Sequence, residues 1–168
     1  VITLGVSNGA ELLLNGGMIY TMRGGGNVNN PLYRFNIGLG TWSSMTASTA
    51  TVNNDGFLVD GGDGYFYMAR ATNTGDFYRY SVAGNSWETL PTIPAQLTTG
   101  AAAESNLSNK IHMMPGAGTD TYGDALYTYV LNTATSGFVE TGSYTSPAHD
   151  LTNVYRWANL EVTQTVPD

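Results

Sequence analysis

The chain has 168 residues, 42% apolar and 11% charged, with no cysteine and a net charge of −7. This length suits one domain with a real core, and the apolar share excludes an intrinsically disordered chain. One lysine and five arginines, nowhere clustered, exclude phosphate-backbone binding to nucleic acid and attraction to an anionic membrane.

Glycine (21), threonine (22) and asparagine (15) give a neutral-polar, turn-rich texture that favours an all-β protein. No apolar run approaches the roughly 20 residues of a spanning helix, so no membrane insertion is expected. The chain opens at Val1 without a leader, as expected of a processed protein or an excerpt of a longer one. Segment 1–6 is strand-like. Gly5-Val6-Ser7-Asn8-Gly9 matches the letters of a nucleophile elbow, but a short apolar stretch ending in Gly-Gly follows instead of a helix, so it reads as a polar turn.

Residues 10–14 read as a strand, Asn15-Gly16-Gly17 as a tight turn and 18–22 as a second strand. A loop over 24–30 leads to a strand at 32–37 with aromatics on alternate positions, and a last short strand carries Trp42. The pattern then recurs: residues 12–42 align without gaps on 57–87 at an offset of 45. Leu13-Leu14-Asn15-Gly16-Gly17 falls on Leu58-Val59-Asp60-Gly61-Gly62, Tyr20 on Tyr65 and Trp42 on Trp87. A third copy, with a longer insertion, runs through Leu126-Tyr127-Thr128-Tyr129 to Phe138. Anchored on Tyr33, Tyr78 and Tyr129, it puts Trp42, Trp87 and Phe138 nine residues later in each copy.

Tyr33-Arg34-Phe35-Asn36 with Trp42, and Tyr78-Arg79-Tyr80-Ser81 with Trp87, resemble the kelch motif of β-propeller blades, the group that includes galactose-oxidase-like propellers. Tyr129-Val130-Leu131-Asn132 with Phe138 is a degraded third instance. The resemblance covers about residues 8–145 and is to a divergent branch. Gly24-Gly25 match the paired glycines that end a blade's second strand, but Ala69-Arg70 replace them in the second copy and Pro115-Gly116 in the third.

The resemblance implies an all-β chain of three four-stranded repeats, about 1–50, 51–97 and 98–148, with 149–168 as a strand-like extension for closure or subunit contact. Closed propellers have four to eight blades, so three leave open flanks that oligomerisation or a longer chain would close. A β-trefoil, which closes with three repeats, is the alternative.

No catalytic residue, cofactor or metal is expected. His112 and His149 are isolated, with His112 expected as a packed core residue, and without cysteine the cofactor of galactose oxidase cannot form. Asp55, Asp60 and Asp63 sit among glycines where calcium could bind, although turns use the same residues. Most aromatics occupy repeat-equivalent core positions. The candidate contact loops carry Asn27, Asn29 and Asn30, then Asn73 and Asp76, then Asp120, Tyr122 and Asp124. The expected function is a non-enzymatic structural or interaction module, self-assembling or joined to other structural proteins, at an extracellular or virion surface. A lectin with repeated shallow glycan sites and a fragment of a larger galactose-oxidase-like enzyme are the alternatives.

Overall fold

The computed structural model describes residues 10–25, 31–48, 50, 56–70, 74–116, 125–131 and 137–143, and every regular element among them is a β-strand. β1 (Glu11–Asn15) and β2 (Met18–Met22) form a hairpin around Gly16 and Gly17. Their φ angles of 54° and 76° lie in the left-handed region that glycine enters without a Cβ clash. β3 (Pro31–Asn36) and β4 (Thr41–Ala47) complete this first sheet, blade I. Blade II contains β5 (Phe57–Asp60), β6 (Tyr65–Ala69), β7 (Phe77–Ser81) and β8 (Ser86–Leu90). Blade III contains β9 (Ala102–Ser105), β10 (Lys110–Met114), β11 (Ala125–Val130) and β12 (Gly137–Ser143).

Each blade is an antiparallel meander of its own four strands, and among the described residues no strand ladder joins one blade to another. A trefoil would merge its repeats into one barrel, so the blade arrangement is the one that forms. The sheets approach one another along their first strands, β1 beside β5 and β5 beside β9, and fan outward from there. The linker after β8 joins the core between blades II and III, where Ile93, Ala95 and Leu97 are buried. Its Ile93 amide donates to the Gly75 carbonyl at 2.8 Å, an approach so close that a Cβ on Gly75 would strike the Ile93 carbonyl.

Alternation along the strands gives blade II two apolar faces. The face of blade I carrying Leu13, Tyr20, Met22 and Leu32 packs on the face of blade II carrying Leu58, Phe66, Met68 and Tyr80. The opposite face of blade II, with Phe57, Tyr67, Ala69 and Phe77, packs on Ile111, Met113, Tyr127 and Tyr129 of blade III. Phe66 stands at the centre of the first interface, its ring 4.7 Å edge-on from Tyr20 and 6.1 Å from Tyr80. At the rim, Trp87 Nε1 donates to the Thr46 carbonyl at 3.0 Å and the Thr46 amide donates to Asn85 Oδ1 at 2.9 Å. Nearer the axis, Asn15 Nδ2 donates to Asp60 Oδ2 at 2.7 Å.

The register corrects the sequence alignment in two places. β3 and β4 obey the offset of 45, since Phe35 pairs with Trp42 as Tyr80 pairs with Trp87. The first hairpin does not: Asn15 pairs with Met18, whereas Asp60 pairs with Phe66 across a five-residue turn. Tyr67, two residues beyond Tyr65, is therefore the counterpart of Tyr20, and Leu58 corresponds to Leu12 instead of Leu13, a one-residue slip that sends the side chain to the other face. In the third copy Tyr129 pairs with Phe138. Tyr129 is thus the counterpart of Phe35 and Tyr80 rather than of Tyr33 and Tyr78, and the β11–β12 connection is two residues longer.

Replacing Phe66 by Ala opens a cavity between two blades and is expected to cost about 3–5 kcal/mol. The check is urea unfolding of both proteins. A loss below about 1 kcal/mol would mean that this blade interface does not hold the fold.

Candidate functional site

Of the eight residues expected to form contact loops, Asp76 is described. Asn27, Asn29, Asn30, Asn73, Asp120, Tyr122 and Asp124 lie outside the described residues, as do Gly5-Val6-Ser7-Asn8-Gly9, His149 and the extension 149–168. Asp76 is engaged within its own blade. Its Oδ2 receives Arg70 Nη1 at 3.2 Å and its carbonyl receives the Arg70 amide at 3.2 Å, which fastens the end of β6 to the start of β7.

Asp60 and Asp63 shape the longer β5–β6 turn. Asp60 Oδ1 accepts from the Gly62 amide at 2.9 Å, and Asp63 Oδ1 accepts from the Tyr65 amide at 3.1 Å. Their other oxygens accept from Asn15 and from the Tyr67 hydroxyl (2.9 Å), so both carboxylates are spent on the turn and its neighbours. Asp55 lies outside the described residues. Among those described, no three His, Asp or Glu side chains stand close enough to hold a metal ion. Gly62 (φ 74°) presses against the Leu107 backbone of blade III, where a Cβ would collide.

Burial, and next the hydrogen bond to Asp63, pushes the Tyr67 hydroxyl well above the ordinary tyrosine value. Arg79 lies beneath it, bonded to Glu88 (Nε to Oε2, 2.8 Å) and stacked 4.6 Å from the Tyr65 ring centre. Among the aromatics at repeat positions Trp42 is exposed, while Tyr20, Tyr67, Tyr80, Tyr127 and Tyr129 are buried in the core. His112 is not. It lies half-buried on the outward face of blade III, across from Glu104, with Nδ1 3.0 Å from Thr128 Oγ1. The alternation of β10 gives the core face to Ile111 and Met113, leaving His112 on the other side.

The first strands converge on a groove of about 290 Å³ lined by Leu12, Leu14 and Leu58 with Glu11, Asp60 and Glu104. Burial alone raises the Glu11 carboxyl above its ordinary value. Ser105, also in the groove, takes the Leu107 amide on its hydroxyl at 3.0 Å and closes the β9–β10 turn. These groups can receive polar or apolar contacts, and among the described lining residues no nucleophile is paired with a base.

Leu12 and Leu14 were hidden within the run Leu12-Leu13-Leu14. Leu13 is buried between blades, while Leu12 and Leu14 face outward, 73% and 68% exposed. The readable signal was strand alternation itself: a middle leucine turned inward leaves its neighbours on the opposite face.

No family model matches this sequence, and no curated protein matches it either. Among 67 similar solved chains is the structure of YjhT, which matches with a TM-score of 0.65 at 14% identity over 84% of this chain and 53% of that one. At this identity the likeness concerns the fold alone. Successive four-stranded meanders with their first strands side by side are the arrangement of a β-propeller. The chain spans about half the length of the structure that it matches.

The Glu11 carboxyl yields a signed test. Its raised value means that the native state holds this proton more tightly than the unfolded chain does. The resulting stability is complete below the ordinary value of 4.5 and is lost as pH rises through the native value. Glu11→Gln is expected to raise the urea midpoint near neutral pH and to leave it unchanged near pH 3. Equal midpoint shifts at both pH values would refute the assignment.

Proposed function

We propose that this chain is a non-enzymatic structural and interaction module of β-propeller type, assembling through open blade flanks with copies of itself or with other structural proteins. The observation that carries this reading is the outward face of blade I. Its counterpart in blade II, with Leu58, Phe66, Met68 and Tyr80, is wholly buried against a neighbouring blade. On blade I the same face leaves Leu12, Leu14 and Trp42 exposed. A surface built like an interface and left uncovered by the described residues supports a role in contact.

Kelch-like pairing of Phe35 with Trp42 and Tyr80 with Trp87 supports the reading, because such repeats are stable only when stacked. Within the groove, Asp60 is held by the β5–β6 turn and burial raises the Glu11 carboxyl. The sparing use of lysine and the abundance of threonine and asparagine suit an extracellular or virion-surface setting.

Sedimentation velocity over a concentration series tests the proposal, with Leu14→Asp as the comparison. The wild-type chain is expected to associate. The variant is expected to stay at least tenfold more dissociated, with thermal unfolding within a few degrees of wild type, because an exposed position costs little in the monomer. Turnover of any substrate in a panel of glycosides, esters and peptides would overturn the non-enzymatic assignment. Association indifferent to Leu14→Asp would overturn the role of the flank.

A further inference from the structure

Among the described asparagines, Asn15 alone is followed by glycine. Asn36, Asn85, Asn106 and Asn109 precede Ile37, Ser86, Leu107 and Lys110. The difference matters because the backbone nitrogen after an asparagine can attack that asparagine's own side-chain carbonyl carbon. A side chain on the attacking residue obstructs the approach, and glycine has none. Gly16 is exposed, nothing lies within 4 Å of the place a Cβ would take, and its amide donates to no described group. Only the turn itself holds the attacking nitrogen back.

The other nitrogen in this chemistry, Asn15 Nδ2, joins two blades. It donates to Asp60 Oδ2 at 2.7 Å, from the end of β1 to the end of β5. Asp60 is fixed by its own turn, where Oδ1 accepts from the Gly62 amide. An ionised carboxylate accepts and cannot donate, so this contact needs an amide at position 15. A carboxylate there would set two acceptors of like charge against each other. Blades II and III meet differently at this level, with Gly62 pressed on the Leu107 backbone.

We propose that Asn15 is a site of spontaneous deamidation, and that its conversion to aspartate or isoaspartate unfastens blade I from blade II. The Gly16 nitrogen forms a bond to Asn15 Cγ, the Cγ–Nδ2 bond breaks, and the Gly16 proton leaves with Nδ2 as ammonia. The cyclic imide that remains takes up water, which is the one co-reactant. Opening at the main-chain carbonyl gives isoaspartate, and opening at Cγ gives aspartate. Either product carries a negative charge where the donor to Asp60 had been.

The fold governs the timing. Asn15 is a strand residue paired with Met18, and Gly16 and Gly17 turn the chain at φ of 54° and 76°. In extended backbone the Cβ and the next amide are rotated apart about the Cα–C bond, so this end of the hairpin must leave its ladder before the ring can close. The bond to Asp60 holds the same end shut. Conversion is therefore slow in the closed molecule, and the product favours the open one. The change runs one way.

The test incubates the full chain at mildly alkaline pH beside a synthetic peptide of residues 10–22, and follows both by mass spectrometry. Cleavage after Glu11 and Arg23 separates this position from the other Asn-Gly pair at its side, Asn8-Gly9. Asn15 is expected to convert in the chain, more slowly than in the peptide and ahead of Asn85 and Asn106. Asn15→Asp, made directly, is expected to lower the folded-to-unfolded ratio about fivefold or more in urea near neutral pH. Combining it with Asp60→Asn exchanges donor and acceptor and is expected to recover most of that loss, measured on fresh protein because Gly61 would follow the new amide.

An Asn15 that persists while Asn85 or Asn106 converts overturns the site. Wild-type stability of Asn15→Asp overturns the consequence. If Asn15→Asp does not fold, the exchanged pair decides: recovered folding supports the unfastening, and failure to recover refutes it.

Discussion

The face-to-face stacking of blades is the constraint on which everything else depends. Blade II shows why: Phe66, Tyr67, Met68 and Ala69 are consecutive and all are buried, so both faces of one strand have left water. A sheet buried on both sides reads as an unbroken apolar run, and it cannot exist without a neighbour on each side. Each large side chain removed from water contributes about 1.5–3 kcal/mol, so the two interfaces supply most of the driving force that orders these short strands. Blade II is stable because it is in the middle. Among the described residues, blades I and III are each packed against a blade on one face.

Apolar packing sets the blades against one another but does not by itself fix their angle. The polar contacts between blades I and II do. They lie at both ends of the sheet, Asn15 to Asp60 near the axis and Trp87 and Asn85 to Thr46 at the rim, so rotation about either end strains the other. The Asn15–Asp60 bond is partly buried and the two at the rim are exposed, and each contributes at most about 1 kcal/mol. The Arg79–Glu88 pair, exposed on the outer strands, adds little in comparison. Asn85 adopts a φ of 49°, unusual for a side-chain-bearing residue, and the bonds it receives from Tyr80 and Thr46 hold it there.

Much of this was legible in the sequence, because turn chemistry and alternation are local. Asn15-Gly16-Gly17 announces its hairpin, and the aromatic on β3 with Trp42 or Trp87 seven residues on announces the outer pair of strands. Phase was not legible. The likeness of Leu58-Val59-Asp60-Gly61-Gly62 to Leu13-Leu14-Asn15-Gly16-Gly17 conceals a longer turn, in which Asp60 and Asp63 each hold an amide two residues on. A similar string of letters therefore puts its leucine on the opposite face. The spacing of Tyr129 to Phe138 misled in the same way, since a longer connection imitated the earlier interval. The linker residues Ile93 and Leu97 follow no period at all, and only the fold reveals that they are core. Of the eight residues expected at the site, Asp76 could be placed, and it serves its own blade. The exposed flank that replaces them as the candidate surface depends on which neighbour a face lacks, and no single strand encodes that.

The two ways in which a sheet can recruit another chain are treated differently here, and the difference sets the direction of growth. The outer strand of blade I is polar, Thr41, Ser43, Ser44 and Thr46 all being exposed, and its pairing with β3 is broken by a bulge. Short, polar, bulged outer strands resist addition of another strand, the step that leads to edge-to-edge aggregation. The broad face of the same blade has no such protection: Leu12 and Leu14 stand open at the axis and Trp42 at the rim. Guarding the edge while leaving the face apolar favours packing of a face on a face over edge-to-edge addition of strands.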